Sequence, residues 1–318
     1  MDALQFTAGA LPLSVEAARA VVPADGFLWL DFHHTDVDWP VLAERVTGVR
    51  FHERHVRDSL NLAHPSFYDS TGDYDMVVFR SHVPESGEVF FTHPSTFFLL
   101  DRVLVTVHPA GSHPEASVRQ RLLAQPTRIP PDPPALMHLI LNAMVDRFLA
   151  LREPLTMRME AWAAEMLDPR SAEDLRSIME HRSVLRRLES LSEEQEDAVI
   201  GWRDSTLLPM DEQLAVRYTD LVEHIRRITR FASQQQQEVE NLIQLHFSAV
   251  STRTNEIMRT LTVVSAIFLP LNLLAGIFGM NFEYLPALHM QAAFFLTSGG
   301  MLVLATILLL VFRMKHWF

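Results

Sequence analysis

Between Asp211 and Pro270 the chain has no proline, and no glycine follows Asp211 until Gly276. Nothing in that stretch stops a helix. Leu214, Tyr218, Leu221, Ile225 and Ile228 step by four and three, and Val239, Leu242 and His246 take the pattern up again. This spacing predicts a helix with a coiled-coil-like apolar seam, beginning after Pro209. Run on to Met280 it holds 70 residues and spans about 105 Å at 1.5 Å per residue. A compact domain cannot enclose such a rod, so the expectation is a stalk whose seam requires further copies of the chain. Gln234–Gln237 interrupts the seam and reads as a wet or weakly packed turn.

The far end of this helix turns apolar. Thr260–Phe278 is 19 residues without a charge, and Gln291–Phe312 is 22. Each can cross a hydrocarbon core of about 30 Å. Arg253 and Arg259 precede the first run, and Arg313 and Lys315 follow the second. Basic flanks belong on the cytoplasmic side, so both ends are expected inside and the connector Asn281–Met290 outside. Trp317 and Phe318 fit an interfacial anchor. Pro270 and Asn272 lie within the first run, where a polar group is costly without water or a partner. Asn255, Met258, Leu261 or Thr262, Ser265, Leu269, Asn272, Gly276 and Gly279 share one face by helical spacing. The opposite face, with Val264, Ile267, Leu271 and Leu274, reads as lipid-facing. Several copies around an axis, with the polar face inward, would line a pore; close packing of small residues against the second helix is the alternative.

The earlier part of the chain has a different texture. Phe27–Phe32, Tyr74–His82, Glu88–Phe91, Thr96–Leu100 and Val103–His108 are the expected strands. Asp38 before Trp39-Pro40 marks a helix start, and Ser117–Gln125 reads as another short helix. The proline cluster Pro126–Pro134 is the expected boundary. Beyond it, helices over 135–168 and 171–203 predict a two-helix hairpin, broken at Leu167–Ser171. The expected division is therefore an α/β domain over 1–125, a helical hairpin over 126–208, a stalk over 209–258, a first span over 259–280, an outer loop over 281–290, a second span over 291–312 and a tail over 313–318.

Composition narrows the function. The net charge is −12; from Arg259 onward three bases and one acid leave +2, so the first 258 residues carry −14. That balance argues against nucleic acid and suits a surface that concentrates cations. With no cysteine, any metal must be held by oxygen or imidazole. The N-terminus carries Asp2 and no basic region, so no signal peptide is read. No phosphate-binding glycine loop or nucleophile motif stands in context, so the chain is not read as an enzyme, and transport through it would be passive.

Thr254–Leu288, "TNEIMRTLTVVSAIFLPLNLLAGIFGMNFEYLPAL", resembles the first membrane helix and outer loop of the CorA family of divalent-cation channels. The triplet Gly279, Met280 and Asn281 matches that family's signature at the pore mouth. The resemblance implies an α+β membrane protein: a cytoplasmic α/β domain, a helical hairpin and a long stalk helix entering the first of two C-terminal spans. It further implies a funnel-shaped homopentamer in the inner membrane, with Mg2+ or Co2+ as cargo and no covalent cofactor. The loop asparagines would form an outer selectivity ring, and Glu283 a ring of negative charge. Neutral amide oxygens suit this role, because Mg2+ keeps its water and must be able to leave.

The same resemblance implies cytoplasmic metal sites between subunits. Asp220–His224 resembles the segment supplying one side, and His55–Asn61 the other at Asp58, so Asp58, Asp220 and His224 are the candidate regulatory ligands. Arg57 stands where members often have an acid, and it could pair with Asp220 instead. Asn272 replaces a threonine common in the family, and the basic tail is reduced to Arg313, Lys315 and His316. The ZntB branch, which moves Zn2+, is the alternative, although the 15 histidines are scattered. A membrane-anchored sensor or scaffold that does not conduct is the second class of reading.

Overall fold

A computed structural model describes residues 2–7, 12–83, 90–110, 114–124, 129–166, 175–280, 292–315 and 317. It separates into two compact units, one built from Met1–Glu165 with Ala172–Glu240, the other principally from Asn241–Phe318. The first unit is organised by a seven-stranded sheet. Its strands are β1 (Asp2–Thr7), β2 (Leu13–Glu16), β3 (Gly26–His33), β4 (Phe67–Ser70), β5 (Asp75–His82), β6 (Thr92–Leu99) and β7 (Val103–His108). They lie in the order β2-β1-β3-β7-β6-β5-β4, and among the described residues only β3 and β7 pair in parallel.

β3 and β7 are apolar almost without interruption because both faces of the sheet are covered. Leu28, Leu30 and Phe32 join Met76, Val78, Phe98 and Val105 on one face. Trp39 of helix α1 (Trp39–Thr47) drives into that layer, its ring 5.2 Å from Phe98 and 5.3 Å from Phe51. Alternate residues, including Trp29, Val77, Phe79 and Phe97, are buried on the other face. At the start of β3, Gly26 has φ 145°, and a Cβ there would sit 1.8 Å from the Phe6 carbonyl oxygen. Only glycine tolerates that crossing.

Asp38 begins α1 with Pro40 in its first turn, and Gly48 closes it in the left-handed conformation at φ 70°. Five short elements had no clear expectation: β1, β2, the single 3-10 turn Ala17–Arg19, β4 and α2 (Glu53–Ser59). Of the expected strand Glu88–Phe91, residues 88 and 89 lie outside the described residues, and Phe90 and Phe91 precede β6.

The helices after the proline cluster differ from a two-helix hairpin. α3 (Pro114–Ala124) is followed by α4 (Pro133–Leu149), α5 (Arg152–Met166) and α6 (Leu175–Ser205). Pro154 makes the difference: a proline lacks an N–H and its ring clashes with the carbonyl four residues back, at Ala150. α4 therefore ends at Leu149 and Pro154 falls in the first turn of α5. α4 is buried nearly all round, packed on β5, β7, β3 and β6, while α6 packs on β4 and β5.

α7 (Glu212–Gly279) is one helix of 68 residues. Leu214, Tyr218, Leu221, Ile225, Ile228, Ala232 and Val239 are buried within this single chain. The seam's first half is thus covered by the chain's own helices and needs no second copy. The Tyr218 hydroxyl donates to the Pro134 carbonyl at 2.9 Å, its ring lies 4.8 Å from Trp202 of α6, and Arg226 pairs with Glu196 at 2.7 Å. The glutamine run stays helical and is half packed, half wet: Gln234 and Gln237 are exposed, whereas Gln235 is buried and the Gln236 amide donates to Glu189 at 2.6 Å.

In the second unit, α7 continues from Asn241 and α8 spans Ala293–Met314. Among the described residues, three segments are long and apolar enough to cross a membrane: Pro133–Ala164, the end of α7 and Phe294–Met314. Burial separates them. Half of the first window is inside the protein, against 6% and 0% for the other two. The first has its apolar partners within the chain; the last two leave most of their apolar surface uncovered, and that surface requires lipid or further copies of the chain.

Candidate cation pathway

The membrane part of α7 is asymmetric. Asn255, Met258, Leu261, Leu269, Asn272 and Gly276 are exposed on the single chain, and Ser265 is half-buried. On the opposite face Val264 is exposed, but Ile267, Leu271 and Leu274 are half-covered. That face is therefore partly a packing surface rather than uniformly lipid-facing. Among the described residues the Asn272 amide has no hydrogen-bond partner, whereas Thr260 and Thr262 return their hydroxyls to Glu256 and Met258 carbonyls at 2.9 and 2.7 Å. A Cβ added at Gly276 or Gly279 would meet nothing within 4 Å, so both glycines leave open space beside the helix. α7 ends at Gly279, with the Met280 N–H 3.4 Å from the Ile277 carbonyl oxygen. Asn281 and Glu283 lie outside the described residues.

At the other end of the span Arg259 meets the chain just after α8. The Arg259 guanidinium lies 6.0 Å from the centre of the Trp317 ring, which itself is 5.7 Å from Phe312. The start of the first span and the chain just after α8 thus share one level, as a hairpin with both basic ends on one side would require. Arg313 and Lys315 close α8, the Lys315 N–H bonding the Val311 carbonyl at 3.0 Å.

In the first unit, α2 presents Asp58 between Arg54 at 3.8 Å and His64 at 3.9 Å; the side chain is one-fifth exposed. α2 itself is held by His55, whose Nδ1 lies 2.9 Å from the Tyr74 hydroxyl and whose Nε2 lies 3.1 Å from Asp69. Asp220 and His224 are one helical turn apart on α7, 3.8 Å between carboxylate and imidazole. Among the described residues no three His, Asp or Glu side chains of one chain come together as a metal site.

Sequence reasoning did not single out the charged cluster at the ends of β3 and β7. His108 Nε2 lies 3.0 Å from Asp31 Oδ1, which also accepts the Thr106 hydroxyl at 2.6 Å, and His108 Nδ1 faces the Pro109 carbonyl at 2.9 Å. With acceptors on both nitrogens, the ring is held as imidazolium. Burial alone would lower its pKa, but the charge of buried Glu115 and the Asp31 hydrogen bond and charge raise it to about 10. For Asp31 burial is likewise outweighed, and the His108 hydrogen bond and charge hold it below the usual carboxylate range. The Asp31–Thr106 and His33–His108 pairings join residues more than 70 apart in sequence, a relation that single-segment patterns do not carry.

Residues 24–314 match the family model described as "CorA-like Mg2+ transporter protein". The chain belongs to this family. Among its relatives, YfjQ of Bacillus subtilis (strain 168) is 26% identical over 312 residues, covering 96% of this chain and 94% of YfjQ. The cobalt/magnesium transport protein CorA of Thermotoga maritima (strain ATCC 43589 / DSM 3109 / JCM 10099 / NBRC 100826 / MSB8) is 29% identical over 184 residues, 57% of this chain and 52% of that protein. The complete structure of the CorA magnesium transporter from Methanocaldococcus jannaschii aligns with TM-score 0.87 at 17% identity, over 100% of this chain and 98% of that one. The CorA fold thus extends over the whole chain, and its members are divalent-cation transporters rather than enzymes.

Proposed function

We propose that this CorA-like chain is a passive channel for hydrated Mg2+ and Co2+, built as a homopentamer in the inner membrane with both termini in the cytoplasm. The observation that carries the reading is the exposed, unpartnered stripe of Asn255, Leu269, Asn272 and Gly276 on a helix with open space at both of its last glycines. A polar amide in a membrane span needs water or a partner, and a ring of such faces supplies water to each. Gly279, Met280 and Asn281 form the selecting mouth in this reading, with Glu283 charging its entrance and Met258, Leu261 and Ser265 lining the deeper path. Arg253, Arg259, Arg313 and Lys315 form a basic collar at the cytoplasmic surface. Cytoplasmic metal held between subunits by Asp58 and Asp220, with His224 one turn on, keeps the pore shut. A membrane potential of 100 mV drives a divalent ion with about 4.6 kcal/mol, twice the single-charge value, so no nucleotide is required.

The test is cation flux into liposomes containing the purified chain, with Mg2+, Co2+ and Zn2+ in competition. Asn281→Ala should abolish selective uptake at an unchanged level of inserted protein. Flux equal to the native chain would remove the selectivity role, and absence of flux in the native chain would leave the scaffold reading. Preference for Zn2+ would place the chain with ZntB.

A further inference from the structure

From Asn241 onward the described residues hold four Arg or Lys, at Arg253, Arg259, Arg313 and Lys315, against one acid, Glu256, an excess of three positive charges. Further copies of the chain cannot balance this segment, because each copy brings the same excess. Glu256 stands one turn before Arg259 and does not pair with it. The apolar windows of α7 and α8 are only 6% and 0% buried. Unmatched positive charge and uncovered apolar surface therefore occur together.

A fixed turn shapes the basic end. The Trp317 N–H donates to the Phe312 carbonyl and the Lys315 N–H to the Val311 carbonyl, both at 3.0 Å, so the chain folds back on the last turn of α8. This sets the Trp317 ring 5.7 Å from Phe312 and 6.0 Å from the Arg259 guanidinium. That distance is within reach of cation–π attraction. The Arg259 Nε is enclosed, whereas Nη1 and Nη2 are not, and among the described residues these outer nitrogens have no hydrogen-bond or carboxylate partner. A guanidinium backed by an aromatic ring, with its outer donors free, matches a phosphate that accepts two parallel N–H bonds.

We propose that Arg259 and Trp317 hold the phosphate of an anionic phospholipid, whose acyl chains lie on the uncovered surface of α7 and α8. Nη1 and Nη2 donate to two phosphate oxygens while the indole supports the guanidinium from behind. Arg313 and Lys315, in the last turn and cap of α8, favour a net negative headgroup over a zwitterionic one. A free phosphate would answer the charge but leave the apolar surface bare. The site gives a ligand to the basic collar of the proposed function; it rests on the membrane hairpin and not on conduction.

Native mass spectrometry of the detergent-solubilised full chain, offered equal phosphatidylglycerol and phosphatidylcholine, tests this. Each chain should retain one phosphatidylglycerol, at least about fivefold in preference to phosphatidylcholine. Arg259→Gln should erase the preference. Trp317→Leu keeps every charge and should lower it at least about twofold; it decides alone if the Arg259 variant does not accumulate. Arg227→Gln, at an exposed position of α7 in the first unit, removes the same charge and should leave the preference intact. Excess inorganic phosphate should not displace the lipid. An intact preference in either variant of the site, equal loss in the Arg227 variant, or displacement by inorganic phosphate overturns the proposal. Equal retention of the two lipids removes this site alone, whereas a chain that retains neither lipid removes the membrane hairpin with it.

Discussion

Replacing His108 by glutamine should remove a proton-dependent component of stability that the native chain loses only at alkaline pH. The imidazolium is buried, with Asp31 at 3.0 Å and the Pro109 carbonyl at 2.9 Å. Its pKa of about 10, against 6.5 for an ordinary histidine, means the folded state holds a proton that the unfolded state releases first. The associated stability is complete below pH 6.5 and is lost as pH rises toward 10. Within that window the slope is at most about 1.4 kcal/mol per pH unit. At pH 6.5 the glutamine variant takes the imidazolium from buried Glu115 and leaves Asp31 only Arg119, at 3.7 Å, which costs about 3 kcal/mol. Urea unfolding of the detergent-solubilised chain, followed by tryptophan fluorescence between pH 6.5 and 10, measures both effects. Trp29 is a suitable reporter because its indole N–H donates to the Thr106 hydroxyl at 2.8 Å, one bond away from Asp31. The native and variant curves should converge as pH approaches 10. Parallel curves across the range would refute the imidazolium assignment.

Gly26→Ala places a methyl group 1.8 Å from the Phe6 carbonyl oxygen at φ 145°, so a loss of about 3 kcal/mol or more is expected, read as failure to accumulate folded protein. Tyr218→Phe removes the hydroxyl donated to Pro134 at 2.9 Å, and a loss of about 0.5–1.5 kcal/mol, the net worth of one hydrogen bond, should follow in urea unfolding, because the Pro134 carbonyl keeps its place in the α4 ladder. Gly276→Ala meets nothing within its own chain, so secondary structure by circular dichroism should be unchanged. Any loss of oligomer or flux in that variant then reports on a neighbouring subunit, and unchanged oligomer and flux would show that the glycine is not an approach point.

The long helix was legible because its signal is local: sixty residues without proline or glycine admit few alternatives. The direction of its seam was not. Tyr218 and Ile225 look the same in sequence whether their cover is a second copy or α4 and α6 of the same chain, and the structure buries them against the latter. β5 and β7 announced themselves by runs of β-branched and aromatic residues, whereas β2 and β4, at four residues each, fall below the length at which alternation can be read. Pro154 carried a clear stop that the surrounding helical periodicity obscured. Gly279 and the polar face through Asn272 were visible as a motif on a helix. Asp31, His108 and Glu115 were not, because only strand pairing and the placement of α3 bring them together.

The apolar character of α4 has a consequence for synthesis. As it leaves the ribosome, the stretch Pro133–Ala164 that begins with α4 has the length and hydropathy of a membrane span, and an insertion machinery that reads those properties would have reason to take it. The seven strands precede it in the chain, and N-terminal elements are free to fold first. By the time α4 is exposed, all the strands of the sheet that covers it have been synthesised. The order of elements thus gives the helix a soluble destination before the true spans emerge, and weakening the sheet would favour a misrouted chain as well as an unfolded one.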